Sequence, residues 1–154
     1  MMRTVDEIAI AAPAERVFQL AADVERWPAL LPHYRWVRMH QRGAERNVVE
    51  MAAWRPFGPL KWPTWWMSDM WVDRPALEVR YRHIRGITTG MEVVWQVRPN
   101  GAGTRVALRH QWNGPPWPLI RRPAAEWVIG PVFVHAIACR TLAGVAHAAE
   151  RCHD

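Results

Sequence analysis

Apolar and polar positions alternate most regularly near residue 100. Met91, Val93, Trp95 and Val97 interleave with Glu92, Gln96 and Arg98; past the turn Pro99-Asn100-Gly101-Ala102-Gly103, Val106, Leu108, His110 and Trp112 are opposed by Arg105, Arg109 and Gln111. A period of two puts one set on a dry face and the other in water, which predicts two half-buried antiparallel strands joined by a hairpin. Weaker alternation predicts further strands over residues 3–11, 34–41, 46–54, 65–73 and 76–84, with turns at Arg42-Gly43-Ala44-Glu45 and Arg74-Pro75. Pro56, Gly58, Pro59 and Pro63 predict a loop rich in bulky residues between two of them.

Helical spacing appears in three places. Val17, Phe18 and Ala21 share one face of a helix over residues 14–22, with Pro13 suited to its first turn. Asp23 is a natural N-cap for a second short helix over 24–31, which Pro28 and Pro32 keep brief. From 123 to 151, Trp127, Pro131, Val134, Ala138, Leu142, Val145 and Ala149 recur at steps of three and four, predicting a long terminal helix. Phe133 and Ile137 lie off that stripe, so its first half must be covered on more than one side. Gly130-Pro131 predicts a kink or helix start, because proline cannot donate to the ladder. His135, Arg140, Thr141 and His147 interrupt the apolar run, which argues for a helix buried in protein rather than one spanning a bilayer.

One strand, two short helices, six strands joined mainly by hairpins and a long helix predict an α+β domain with an antiparallel sheet. The 154 residues suit a single domain, 1–154, with one core. There is no internal repeat and no low-complexity segment.

Composition changes this picture in two ways. Eleven residues are Trp, each able to bury on the order of 150–250 Å², so the rings must fill a core or line a cavity. The net charge of +6 comes from arginines spread from Arg3 to Arg151, with Lys61 the only lysine and no nucleic-acid motif beside them. A solvated basic surface follows, and no nucleic-acid partner is expected. Cys139, placed by its spacing among buried helix positions, and Cys152 form no C-x-x-C pair and read as free thiols of a reducing compartment. The first sixteen residues carry acids where a signal peptide carries an apolar run, so a cytoplasmic location is expected.

The order of elements, together with Ala12-Pro13-Ala14-Glu15-Arg16-Val17-Phe18, Asp23-Val24-Glu25-Arg26-Trp27-Pro28, Leu31-Pro32-His33-Tyr34 and Gly103-Thr104-Arg105-Val106, resembles the START-like (Bet v 1-like, SRPBCC) superfamily in its polyketide cyclase/dehydrase branch. The resemblance implies a helix-grip fold: a bent seven-stranded antiparallel sheet around the C-terminal helix, two short helices after the first strand, and an apolar cavity between sheet and helix. It also implies a hydrophobic ligand such as an aromatic polyketide, quinone or lipid. Aromatase/cyclases of this branch carry a Trp-x-Ser-x-Arg pattern on the fourth strand. Trp66 and Ser68 match it, and the arginine position is Met70.

Alternation assigns Tyr81, His83, Met91, Trp95, Leu108, His110 and Trp112 to the cavity side, and the family pattern adds Tyr34, Trp66, Ser68 and Met70. From the terminal helix, Trp127, Val134, His135 and Ala138 are candidate lining residues. An aromatic wall with few polar atoms is what a flat hydrophobic ligand needs. His110 interrupts a dry stripe, and an imidazole there can relay a proton or bond a carbonyl. Tyr34 and Ser68 are further candidates for placing protons or carbonyls. No spacing supports a metal or cofactor, and neither a G-x-S-x-G nucleophile nor a phosphate loop is present. Three functions remain open. One is a polyketide aromatase/cyclase-like enzyme and another a non-catalytic carrier of a lipid, quinone or similar ligand. The third is a macromolecular interaction module using the basic surface and the apolar segment 57–66. Each is compatible with a monomer or a homodimer without a membrane span.

Overall fold

The computed structural model describes residues 2–57, 59–114 and 134–151. Seven strands, β1 (Met2–Ile10), β2 (Tyr34–Gln41), β3 (Asn47–Phe57), β4 (Leu60–Asp73), β5 (Glu78–Gly86), β6 (Glu92–Asn100) and β7 (Gly103–Trp112), form one sheet. Its order is β1-β7-β6-β5-β4-β3-β2 with every neighbouring pair antiparallel, so β2 to β7 run as a meander and β1 returns beside β7. Helix α1 (Ala14–Ala22), a 3₁₀ turn (Val24–Arg26) and α2 (Trp27–Leu30) sit between β1 and β2, and α3 (His135–Arg151) is the terminal helix. This is the helix-grip arrangement.

The alternation sets the faces. Val93, Trp95 and Val97 of β6 and Thr104, Val106, Leu108 and Trp112 of β7 are buried, while Glu92, Arg98, Arg105 and Arg109 stay exposed. Against this inner face α3 buries Ala138, Thr141, Leu142, Val145, Ala146, Ala148 and Ala149, and α1 buries Val17, Phe18 and Ala21. Phe18, with no exposed surface, alone contributes on the order of 1.5–3 kcal/mol by leaving water. Polar bonds fasten the far end of α3: Arg16 Nε donates to the Ala149 carbonyl at 3.0 Å, and the Ala11 N–H donates to Glu150 Oε1 at 3.0 Å.

Two local devices shape the sheet next to its core. On β5, Met67 pairs with Arg85 and Ser68 with His83, leaving Ile84 as the extra residue of a bulge. Gly86 then adopts φ +102° opposite Trp66, and a Cβ there would lie 2.6 Å from the Trp65 carbonyl oxygen, so only glycine fits.

Some expectations need correction. The proline-rich segment is not a loop: β3 and β4 stay paired out to Phe57 and Leu60, with Pro56 opposite Lys61 and Pro63 opposite Trp54. β4 meets β5 only from Trp66 onward. Among the described residues the outer edge of this extension therefore has no strand to bond, and proline's missing N–H is tolerated there. Leu60 and Trp62 are 70% and 66% exposed on it. The short helix expected over 24–31 is a 3₁₀ turn running into the four residues of α2. The strand expected to end at Ile84 continues to Gly86, and His83 within it is buried. Cys139 is exposed rather than buried, since it lies on the flank of α3 beside the inward-facing Ala138. The predicted break at Gly130-Pro131, and Trp127 with it, lie outside the described residues. Among the described residues, no helix is long and apolar enough to cross a membrane.

Candidate functional site

A cavity of about 80 Å³ lies between the inner face of the sheet, Trp27 of α2 and the start of α3. Register explains who meets there. Tyr81, Val93 and His110 stand opposite one another across β5, β6 and β7, and Trp95 stands opposite Leu108 one step along. Trp66 on β4 faces Met51 on β3. All seven line the cavity, with Tyr34, His83, Thr88 and Met91 around them and Val134, just before α3, closing it together with Ile137, Ala138 and Thr141 of that helix.

The wall is a chain of rings. Trp27 meets Tyr34 edge-on at 5.1 Å between centroids and Trp95 at 5.7 Å, and Tyr34 meets Trp66 edge-on at 6.2 Å. Trp66 stacks on His83, with centroids 5.7 Å apart and planes 7° from parallel. Trp27 is fixed by its indole N–H, which donates to the Leu20 carbonyl at 2.9 Å. These contacts are rigid and apolar, with ring faces and edges presented inward.

Three histidines surround this wall, and all are held neutral near pH 7. Burial lowers His110 to about 4. Burial, and then the neighbouring His110, lowers His83 to about 3; its Nδ1 lies 2.6 Å from Thr88 Oγ1. Burial, and then the charge of Arg140, lowers His33 to about 4. Tyr34 is pushed up to about 12 by burial, against a hydrogen bond with Thr141. Tyr81 is raised well above the usual phenol range by burial and then by Tyr34. Both phenols thus keep their protons.

Thr141 is the polar joint between helix and sheet. Its hydroxyl donates to the Ile137 carbonyl at 2.9 Å, its oxygen lies 3.0 Å from His33 Nε2, and it bonds Tyr34. One donor and two acceptor positions are all a hydroxyl offers. With the donor used on Ile137, His33 Nε2 and the Tyr34 phenol both act as donors to it.

By contrast, Tyr81 OH and His110 Nδ1 are buried with no hydrogen-bond partner among the described residues. Both residues belong to the cavity wall. Leaving such an atom unpaired costs about 1–3 kcal/mol. No Asp, Glu, Lys or Arg lines the cavity among the described residues.

Of the residues expected from sequence, Tyr34, Trp66, Tyr81, His83, Met91, Trp95, Leu108 and His110 line the cavity, with Ala138 of α3 and Val134 just before it. Four others do not. Ser68 has no exposed surface, and its Oγ is buried without a partner behind the wall. Met70 faces inward but toward a separate groove under α1, beside Arg16, Leu20, Val24 and Arg74. Trp112 is core, its indole N–H bonded to the Thr89 carbonyl at 3.0 Å. His135 is exposed on the flank of α3, with its Nδ1 2.5 Å from Asp6 Oδ1. Alternation gives the face of a strand, but which helix covers each stretch of that face is not written in it.

Trp27, Met51, Thr88, Val93, Ile137 and Thr141 were not singled out for the site. Met51 shares parity with Val49 and Ala53, Ile137 stands off the apolar stripe, and Thr141 is a polar break in it, so each left a trace in the sequence. Thr88 sits in the β5–β6 turn and left none.

Residues 10–133 match the family described as polyketide cyclase / dehydrase and lipid transport. The actinorhodin polyketide synthase bifunctional cyclase/dehydratase of Streptomyces coelicolor is 31% identical over 112 residues, covering 71% of this chain and 34% of that protein. The granaticin polyketide synthase bifunctional cyclase/dehydratase of Streptomyces virginiae is 31% identical over 153 residues, covering 94% of this chain and 47% of that one. This chain thus spans a third to a half of the length of those two relatives. The crystal structure of the Zhui aromatase/cyclase from Streptomyces sp. R1128 superposes with a TM-score of 0.76 at 21% identity, over 97% of this chain and 93% of that one. At that identity the likeness speaks for the fold. With the match running through most of the chain, the chain belongs to the polyketide cyclase/dehydrase and lipid transport family.

Proposed function

We propose that this protein binds a neutral, flat, hydrophobic molecule of the aromatic polyketide kind in its internal cavity and promotes its cyclisation or dehydration. The observation that carries this reading is the presence of Tyr81 OH and His110 Nδ1, two buried polar atoms without a partner among the described residues, in an aromatic wall to which those residues bring no charged side chain. Such a lining rewards ring area and one or two carbonyl or hydroxyl groups, and it penalises a carboxylate or phosphate.

His110 is neutral at physiological pH, and a group lowered to about 4 is a weak general base. Its role is that of a neutral partner that holds a ligand carbonyl or enol oxygen, with the protonated Tyr81 phenol as the second. The two would polarise a carbonyl as an aldol-type ring closure or a loss of water proceeds. At about 80 Å³ the cavity is smaller than the roughly 300–1,000 Å³ typical of ligand pockets. A fused-ring ligand therefore has to displace the lining, and the unbranched Met51 and Met91 are the side chains best able to repack.

The second reading, a carrier without chemistry, is favoured by Met70 in the position of the family arginine. Titrating tryptophan fluorescence with a neutral anthraquinone and with its carboxylated analogue tests the binding. Quenching at micromolar neutral ligand, weaker for the acid, is expected, and no response to either removes the proposal. Turnover of a poly-β-keto substrate then separates the readings. His110→Ala should lower it about 10²-fold, and if ligand binds while no turnover occurs in the parent protein, the carrier reading stands.

A further inference from the structure

We propose that Asp6, His135 and Cys139 form a binding site for a divalent transition metal of the zinc class at the junction of β1 and α3. The three residues are unremarkable in the sequence, because Asp6 lies 129 positions from His135. Pairing β1 with β7 and laying α3 across that edge bring them together, and His135 and Cys139, one helical turn apart, share the flank facing β1. One ligand atom from each lies within 4.8 Å of those of the other two.

The spacing suits a small tetrahedral ion. With zinc–sulfur bonds near 2.3 Å and zinc–nitrogen or zinc–oxygen bonds near 2.0–2.1 Å, sulfur should lie roughly 3.5 Å from each of the other two donors. Cys139 Sγ is 3.5 Å from His135 Nε2 and 3.7 Å from Asp6 Oδ1. The third edge, 2.5 Å between Asp6 Oδ1 and His135 Nδ1, is too short for two ligands of one ion and is a hydrogen bond of the metal-free state. Opening that edge, or using His135 Nε2 instead of Nδ1, completes the set. Asp6 adds an independent sign: its side chain is 7% exposed, and its second oxygen, Oδ2, is buried with no partner among the described residues. A buried carboxylate with an unpaired oxygen beside a thiol and an imidazole is a poorly satisfied group that a cation would satisfy.

Chemically, the metal replaces protons. The His135 imidazole and the Cys139 thiol both point at the one carboxylate oxygen, Asp6 Oδ1. Binding a divalent ion converts Cys139 S–H to a metal-bound thiolate and releases that proton to solvent. The ion, carboxylate and thiolate then sum to no net charge. Three protein ligands leave a fourth position open, which water fills at this exposed flank. The ion would clamp the first turns of α3, whose Ala138 closes the cavity with Val134 just before it, onto the edge strand.

Cobalt(II) titration of the chelator-treated full chain, under a phosphine reductant, tests this. The expected result is a thiolate-to-cobalt charge-transfer band with tetrahedral d–d bands, saturating at one equivalent, bleached by zinc and accompanied by a rise in melting temperature. Cys139→Ser should abolish the charge-transfer band, His135→Ala should weaken binding at least about tenfold, and Cys152→Ser should leave the band in place. Since Cys139 and His135 are exposed, both variants are expected to fold, and their circular dichroism checks this. Absence of the band in the parent chain, its survival in Cys139→Ser, or its loss in Cys152→Ser overturns the proposal.

Discussion

The Thr141 hydroxyl lies 3.0 Å from His33 Nε2 and is the point at which α3 is tied to the residue preceding β2, 108 positions away in the chain. Thr141 is 1% exposed and His33 is 6% exposed, so neither group has water to fall back on. Thr141→Val keeps the shape and removes the acceptor, stranding His33 Nε2–H and the Tyr34 phenol. At about 1–3 kcal/mol for each of the two unsatisfied donors, urea unfolding should show a loss of roughly 2–6 kcal/mol. A loss under about 0.5 kcal/mol would mean that the joint is not structural.

Tyr81→Phe separates stability from binding. The hydroxyl makes no hydrogen bond among the described residues, so its removal should leave the melting temperature unchanged or slightly raised, because a desolvated polar atom is lost with no partner abandoned. Affinity for a neutral quinone should fall roughly tenfold, the worth of about one hydrogen bond. Unchanged affinity would show that this phenol does not meet the ligand.

The pH dependence of stability follows from the three depressed histidines, His83 at about 3 and His33 and His110 at about 4. Their unfolded value is near 6.5. Between these limits the unfolded chain binds more protons than the native one, so stability rises with pH across that window and is fully present above about 6.5. At pH near 5 each histidine costs up to about 2 kcal/mol relative to neutral pH. Melting curves should therefore shift down between about pH 7.5 and 5, and His110→Gln should flatten the dependence. A melting temperature constant over that range would contradict the burial of these rings.

Gly144 lies where α3 passes Leu31, and a Cβ there would sit 2.1 Å from Leu31 Cδ2. Alanine favours a helix over glycine by about 1 kcal/mol. Leu31, however, is 1% exposed and has little room to turn aside, and overpacking typically costs about 1–3 kcal/mol. Gly144→Ala should destabilise by about 1 kcal/mol net in thermal or urea unfolding, and stabilisation would show that the side chain yields freely.

Much of this molecule was legible from residue patterns. The inward set of β6 and β7 follows from strict alternation, and α1 matches its predicted span because Val17, Phe18 and Ala21 leave no other face to bury. Six of the expected cavity residues, Tyr81, His83, Met91, Trp95, Leu108 and His110, meet in one wall for the same reason: strand parity is local, and burying one face of a sheet enforces it, while Tyr34 and Trp66 were expected from the family pattern. The short motifs shared with relatives supplied the family, and with it the expectation of a gripped helix.

What the chain determined alone was therefore which side of each element is dry. Tertiary structure decided which dry residues reach the cavity and which meet a helix, separating Trp66 from Met70 on the same face of one strand. It also decided that Thr141 would find His33 and that Asp6 would find His135, across 108 and 129 residues. Periodicity carries no information about such distances, because it encodes a direction relative to one local axis. Pairing of distant groups depends on how the sheet closes around α3, which only the summed packing of all the elements fixes.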